Sequence, residues 1–244
     1  MFEYLDYSLV IKTLEVPTVS GEEQMMRDYI IKFAQEHSID YTTDKSGNVY
    51  LTKGQVGEEE FYPCVTAHMD SVQYTQSKWI SEKRLLDIKT KVVDDVHTFY
   101  CEGNVDLKWF CDVGYIMAFD SPEQDMSWAC GGARLFDRKF YEQYLADLTV
   151  EFKIRKFCNH PFTDIMHLRE NTSLACLNIF AGYYNYHSPN EYCVAEDMDR
   201  AIKLGKTLIK KLAYKEYVIP YTSRMDDVNN EDDVYFYEKF GRYW

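Results

Sequence analysis

An α/β protein with a central mixed sheet flanked by helices is the fold class this sequence predicts, on three observations. Apolar runs at 61–67, 114–119 and 174–180 are short and bounded by turn residues, as buried strands are. Segments at 22–33, 135–148 and 197–213 carry apolar residues at helical spacing. Strands alternating with helices layer around one sheet. Each apolar run also leads into a polar residue that could do chemistry: His68, Asp120 and, through Gly182, His187. Ligands of such sheets gather where strands end, because the loops there converge on a crevice.

The elements follow in order. Ser20 is a plausible N-cap with Glu23 at the reciprocal position of a capping box, and Met26, Tyr29, Ile30 and Phe33 recur on one helical face. The Glu22–Glu23 pair then reads as an ordinary partner of the helix dipole. Ile39 to Thr43 and Val49 to Thr52 read as two strands joined by the turn Asp44-Lys45-Ser46-Gly47-Asn48. Phe61 to Ala67 is a buried strand that ends at His68. Lys83 to Lys89 fits helix or strand, and Val96 to Glu102 fits a strand. Gly114 to Phe119 is a buried strand ending in Asp120-Ser121-Pro122, and Leu135 to Leu148 reads as a helix. Leu174 to Phe180 is an apolar strand, and Asp197 to Ala213 an amphipathic helix with Met198, Ile202, Leu204, Leu208, Ile209 and Leu212 apolar.

The 244 residues suit one domain, read here as a single catalytic-type α/β domain over 1–222 with an acidic, aromatic tail at 223–244. Apolar content of 46% suffices for a core. A net charge of −13 argues against a nucleic-acid partner, because phosphate is repelled by such a surface. No apolar run approaches the ~20 residues that span a bilayer, so no membrane partner is expected. The N-terminus lacks the charged and apolar regions of a signal peptide. The seven cysteines form no CxxC ladder, which argues against a zinc ribbon, and Cys64, Cys111, Cys158, Cys176 and Cys193, in or beside apolar runs, read as small core residues of a reducing compartment, the cytoplasm.

The residues with the sharpest chemistry are His68 and Asp70. Alternation along a strand puts them on one side, where one can ligate a cation and the other orient it. A mixed His and Asp set suits zinc. Zinc polarises a carbonyl and lowers the pKa of bound water, and a Glu commonly takes the proton.

Several segments together resemble the di-zinc exopeptidases that include peptidase T and related cytoplasmic aminopeptidases. They are 16–23 (VPTVSGEE), 44–49 (DKSGNV), 66–72 (TAHMDSV), 119–122 (FDSP), 131–136 (GGARLF), 160–164 (HPFTD) and 185–192 (NYHSPNEY). The resemblance implies a reduced zinc-exopeptidase-like fold. It also implies His68, Asp120 and His187 as metal ligands, Asp70 as the clamp on the His68 imidazole, and one or two zinc ions. Arg134 and Asp164 would shape the crevice around a small peptide substrate; Asp164 could equally serve as a helix N-cap after Thr163. The family pattern also needs a bridging Asp and an adjacent Glu–Glu pair between the His-x-Asp strand and the Asp120 strand, and neither motif is present. Asp94, Asp95 and Glu102 are the nearby substitutes, Glu102 as the base. Two functions follow: a zinc-dependent aminopeptidase-like hydrolase, or a catalytically inactive relative that binds a metal, peptide or protein partner.

Overall fold

The computed structural model describes residues 2–18, 21–69, 73–80, 85–92, 105–131, 133–160, 163–186, 190–220 and 231–240. In chain order they form α1 (Tyr7–Leu14), α2 (Gln24–Glu36), β1 (Asp40–Thr43), β2 (Val49–Thr52), β3 (Tyr62–Thr66), β4 (Gln73–Ile80) and β5 (Leu85–Val92). A 3-10 turn over Leu107–Asp112 leads into β6 (Val113–Ser121), β7 (Met126–Cys130) and β8 (Ala133–Arg134). Next come α3 (Arg138–Phe140), a π-helical turn over Tyr141–Leu145, α4 (Leu148–Glu151), β9 (Phe157–His160) and α5 (Asp164–Thr172). The chain continues through β10 (Cys176–Phe180), β11 (Tyr183–Tyr184), β12 (Tyr192–Val194), α6 (Ala195–Leu212) and α7 (Glu231–Phe240).

Two compact units divide the chain: 1–55 with 68–106 and 183–195, and 56–67 with 107–182 and 196–244. The second holds a six-stranded sheet in the order β3-β6-β10-β7-β8, with β9 paired to β7. β3, β6 and β10 run parallel, while β10–β7 and β7–β8 are antiparallel, so the sheet is mixed as expected. All five residues of β7 and of β10 are buried. Strands covered on both faces lose the alternation of a half-exposed sheet, which is why β10 reads as part of an apolar run. α6 buries Ala201, Leu204, Leu208 and Leu212, one stripe at helical spacing. α7 lies within the acidic, aromatic segment and stacks Phe236 on Trp128, with ring centroids 5.1 Å apart.

The first unit holds the β1–β2 hairpin and a four-stranded sheet in the order β11-β12-β5-β4. β5 resolves the ambiguous 83–89 segment as a strand. The strand expected at 96–102 lies outside the described residues.

Two expected helices have different boundaries. α2 starts at Gln24 with Glu23 as its N-cap, and the Glu23 carboxylate instead accepts the Gly21 N–H at 2.5 Å; Ser20 lies outside the described residues. The single helix expected over 135–148 is three short pieces. Leu135 belongs to the sheet edge, since its N–H donates to the Trp128 carbonyl and its carbonyl accepts the Cys176 N–H. The helix therefore begins only after Asp137, whose carboxylate caps the Phe140 N–H at 2.7 Å. It then widens into the π turn.

Candidate functional site

β3 and β6 are adjacent parallel strands, with Thr66 opposite Ala118. Two residues on, each chain reaches a ligand-type side chain, His68 after β3 and Asp120 within β6. His68 is exposed and Asp120 is half-buried. The backbone after His68 is tied down locally: the Thr18 hydroxyl donates to the Met69 carbonyl at 2.7 Å. Thr18 belongs to the 16–23 segment, so that motif touches the His-x-Asp segment through a hydrogen bond.

Asp120 sits at an irregularity. β10 pairs Ile179 with Phe119 but Phe180 with Ser121, so Asp120 is the extra residue of a bulge on β6. A bulge leaves one residue out of the ladder and re-aims its side chain. The Asp120 N–H is satisfied by a side chain, donating to Asn178 Oδ1 at 3.2 Å. Asn178 Nδ2 in turn donates to Ser127 Oγ at 3.3 Å, and Ser127 Oγ lies 3.4 Å from Ser121 Oγ. Reading the sequence for metal ligands misses Asn178 and both serines. The available signal is a lone Asn inside an apolar strand, which needs a buried partner.

Cys130, at the end of β7, is close enough to Asp120 to feel its charge. Burial, with the charges of Asp120 and Cys158 adding to it, outweighs hydrogen bonds from Thr163 and pushes the Cys130 thiol up to about 12. With no cation bound it is a thiol and not a thiolate at neutral pH.

Arg134 lies on β8 opposite Ala129 and is 8% exposed, and its carbonyl accepts the Nε–H of the fully buried Arg169. Asp164 is the first residue of α5, and the N-cap is Thr163, whose hydroxyl accepts the Ile165 N–H at 3.2 Å. The N-cap expected at Asp164 thus falls one residue earlier, because the Thr163 backbone is extended and its hydroxyl faces the first turn. Gly182, ahead of the His187 loop, has a φ of +75°, and a Cβ there would lie 2.8 Å from the Asp197 Cβ. His187, Asp70, Glu102, Asp94 and Asp95 lie outside the described residues.

His and Asp are donor types that zinc accepts. Among the described residues, no group of three or more His, Cys, Asp or Glu side chains is gathered to hold a metal ion. Among them, too, no helix is long and apolar enough to cross a membrane.

No family model matches the chain, and no curated protein does. Among solved structures the chain resembles PhTET1-12s, determined as a dodecamer in the asymmetric unit, with 14% identity and a TM-score of 0.52. The match covers 86% of this chain and 99% of the other. At that identity the likeness concerns architecture alone, a mixed sheet flanked by helices.

Proposed function

We propose that this chain is a peptidase-like hydrolase, and more specifically a zinc-dependent aminopeptidase acting on small peptides. The fold likeness to PhTET1-12s, a tetrahedral aminopeptidase, supports the coarser reading. One local observation carries the finer one: the bulge on β6 that puts Asp120 out of the ladder with β10. His68, Asp120 and His187 are the proposed ligands, Asp70 the clamp on the His68 imidazole, and Glu102 the proposed base. Arg134 and Asp164 are assigned to the peptide crevice. Zinc, when bound, supplies Lewis acidity toward a peptide carbonyl and an acidified water. The chain's own contribution is to hold the two donor types at strand ends and to shape the crevice. The free cysteines of the described residues fit a reducing cytoplasmic setting.

A specific absence favours a second reading, an inactive relative that binds a metal, peptide or protein. Between the His-x-Asp strand and the Asp120 strand the sequence has neither the Gly-Asp-Asp-Lys-like loop nor the Glu–Glu pair of the family pattern. Loss of a general base alone lowers a rate by ~10²–10⁴-fold.

Metal counting and turnover separate the readings. Protein stripped with chelator and reloaded with zinc is analysed for zinc per chain and for hydrolysis of di- and tripeptides with free N-termini. The enzyme reading expects bound zinc and chelator-sensitive cleavage, both lost in His68→Ala and Asp120→Ala. Zinc uptake without cleavage supports the inactive relative. Zinc content unchanged in both variants removes the proposed ligands altogether.

A further inference from the structure

We infer that Asn178 is a positioning residue for Asp120, its side-chain amide fixing the β6 bulge that directs the carboxylate. The inference rests on the reading of Asp120 as a zinc ligand. Asn178, Ser127 and Ser121 are all 0% exposed, and the neighbours of Asn178 along β10, Leu177 and Ile179, are apolar. Burying an amide is unfavourable unless its hydrogen bonds are made, and an aliphatic side chain of similar volume would fill the space without that requirement. What Asn178 does that an aliphatic residue cannot is accept the Asp120 N–H, at 3.2 Å. The Asn178 side chain takes this role where the β10 register steps from Phe119 to Ser121.

The rest of the network fixes which way the amide faces. An N–H donor can be received only by Oδ1, so Nδ2 must point the other way, and there Ser127 Oγ accepts it at 3.3 Å. Ser127 Oγ is also 3.4 Å from Ser121 Oγ, the residue directly after Asp120. Residue 120, through its N–H, and residue 121, through its hydroxyl, are thereby connected to one buried cluster spanning β6, β7 and β10. Groups that orient a metal ligand from behind typically change metal affinity ~10–100-fold when removed.

Zinc affinity of the full chain, measured by competition with a chromophoric chelator, tests this without any activity readout. Asn178→Leu keeps the volume and removes both hydrogen bonds; zinc binding is expected to weaken ~10–100-fold. Ser127→Ala should weaken it less, in the same direction. In an Asp120→Ala background, Asn178→Leu should bring no further loss, because its effect passes through Asp120. A wild-type chain that takes up no zinc, or an Asp120→Ala variant that binds as tightly as wild type, defeats the zinc reading itself. Asp120-dependent binding with unchanged affinity in Asn178→Leu leaves that reading intact and overturns the positioning role. An equal loss from Asn178→Leu in both backgrounds also overturns it, as the mark of a general structural effect. Should Asn178→Leu lack a cooperative thermal transition, the same cycle run with Ser127→Ala decides: coupling to Asp120 supports the role and its absence overturns it.

Discussion

Every residue of β7 and β10 is buried, whereas every residue of β1 is exposed. The first pair belongs to the sheet that carries Asp120, and the second to the hairpin of the other unit. They are held by different forces. Around β7 an aromatic cluster encloses the strand: Trp128 stacks on Phe236, and Phe136 meets both Phe157 and Phe236 edge-on. The β1–β2 hairpin is held at its turn by one carboxylate. Asp44 accepts from the Ser46 and Asn48 backbone N–H groups at 2.9 and 3.0 Å, from Asn48 Nδ2 at 2.8 Å and from the Tyr50 hydroxyl at 2.7 Å. Apolar enclosure is non-directional and strong, and it leaves a buried polar side chain no alternative to its protein partners. A bulge can therefore be fixed by one Asn in the enclosed sheet, while the open hairpin needs several directed bonds to hold one turn.

The largest effect expected from this contrast is in the aromatic cluster. Trp128→Ala should lower stability by about 3–5 kcal/mol in urea unfolding, because the cavity is enclosed and lined by rings that pack tightly. Leu51→Ala, on β2 and 37% exposed, should lose less than about 1 kcal/mol. Equal losses at the two sites would break the comparison. Next comes Gly114→Ala on β6, where a Cβ would collide with the Lys215 carbonyl oxygen and lie 2.9 Å from the Phe61 Cβ. The first of these is backbone and cannot rotate away, so the loss should reach or exceed about 1–3 kcal/mol in the same assay.

Much of the enclosed sheet is legible in sequence, for the same reason that it is stable. β6 and β10 are runs of apolar residues that no exposed element would tolerate, and α6 shows its stripe at Leu204, Leu208 and Leu212. β7 and β9 escape notice because they are short and mixed, with a serine, an asparagine and a histidine among their residues. Their identity as strands comes from partners distant in the chain, β10 and β7. Asp120 is legible as a polar residue at the end of an apolar run. Its bulge is not, since a bulge is a relation between two strands and depends on how Phe180 is paired. Asn178 is visible only as an oddity within its run, and its partner Ser127 lies 51 residues away.

The hairpin side of the comparison is sharpened by Tyr50→Phe. The hydroxyl donates to Asp44 and accepts the Asp106 N–H at 2.9 Å, and its loss removes a bond to a charged group. About 1–2 kcal/mol of stability should go with it, less than at Trp128 because no cavity opens. A loss as large as that of Trp128→Ala would mean that directed bonds at an open turn rival enclosure.

The smallest effect is the acid dependence of the same turn. Burial raises the Asp44 pKa, but the hydrogen bonds from Asn48, Tyr50 and the Asn48 and Ser46 backbone outweigh it together and hold the carboxyl below its ordinary 3.8. A carboxyl whose folded pKa lies below its unfolded one binds fewer protons when folded, so its stabilisation is complete above the unfolded value. It is lost as pH falls from there through the folded pKa. Asp44→Asn keeps the shape of the side chain and removes the charge. The stability gap between wild type and Asp44→Asn should therefore hold steady from neutral pH down to about pH 5 and narrow below pH 4. Comparing the two chains at each pH cancels the carboxylates they share, Asp6 and Asp147 included, whose pKa values are also lowered by local donors. A gap that stays constant to pH 2.5 would mean that Asp44 acts through the geometry of its hydrogen bonds and not through its charge, leaving the hairpin turn as insensitive to acid as the aromatic cluster around β7.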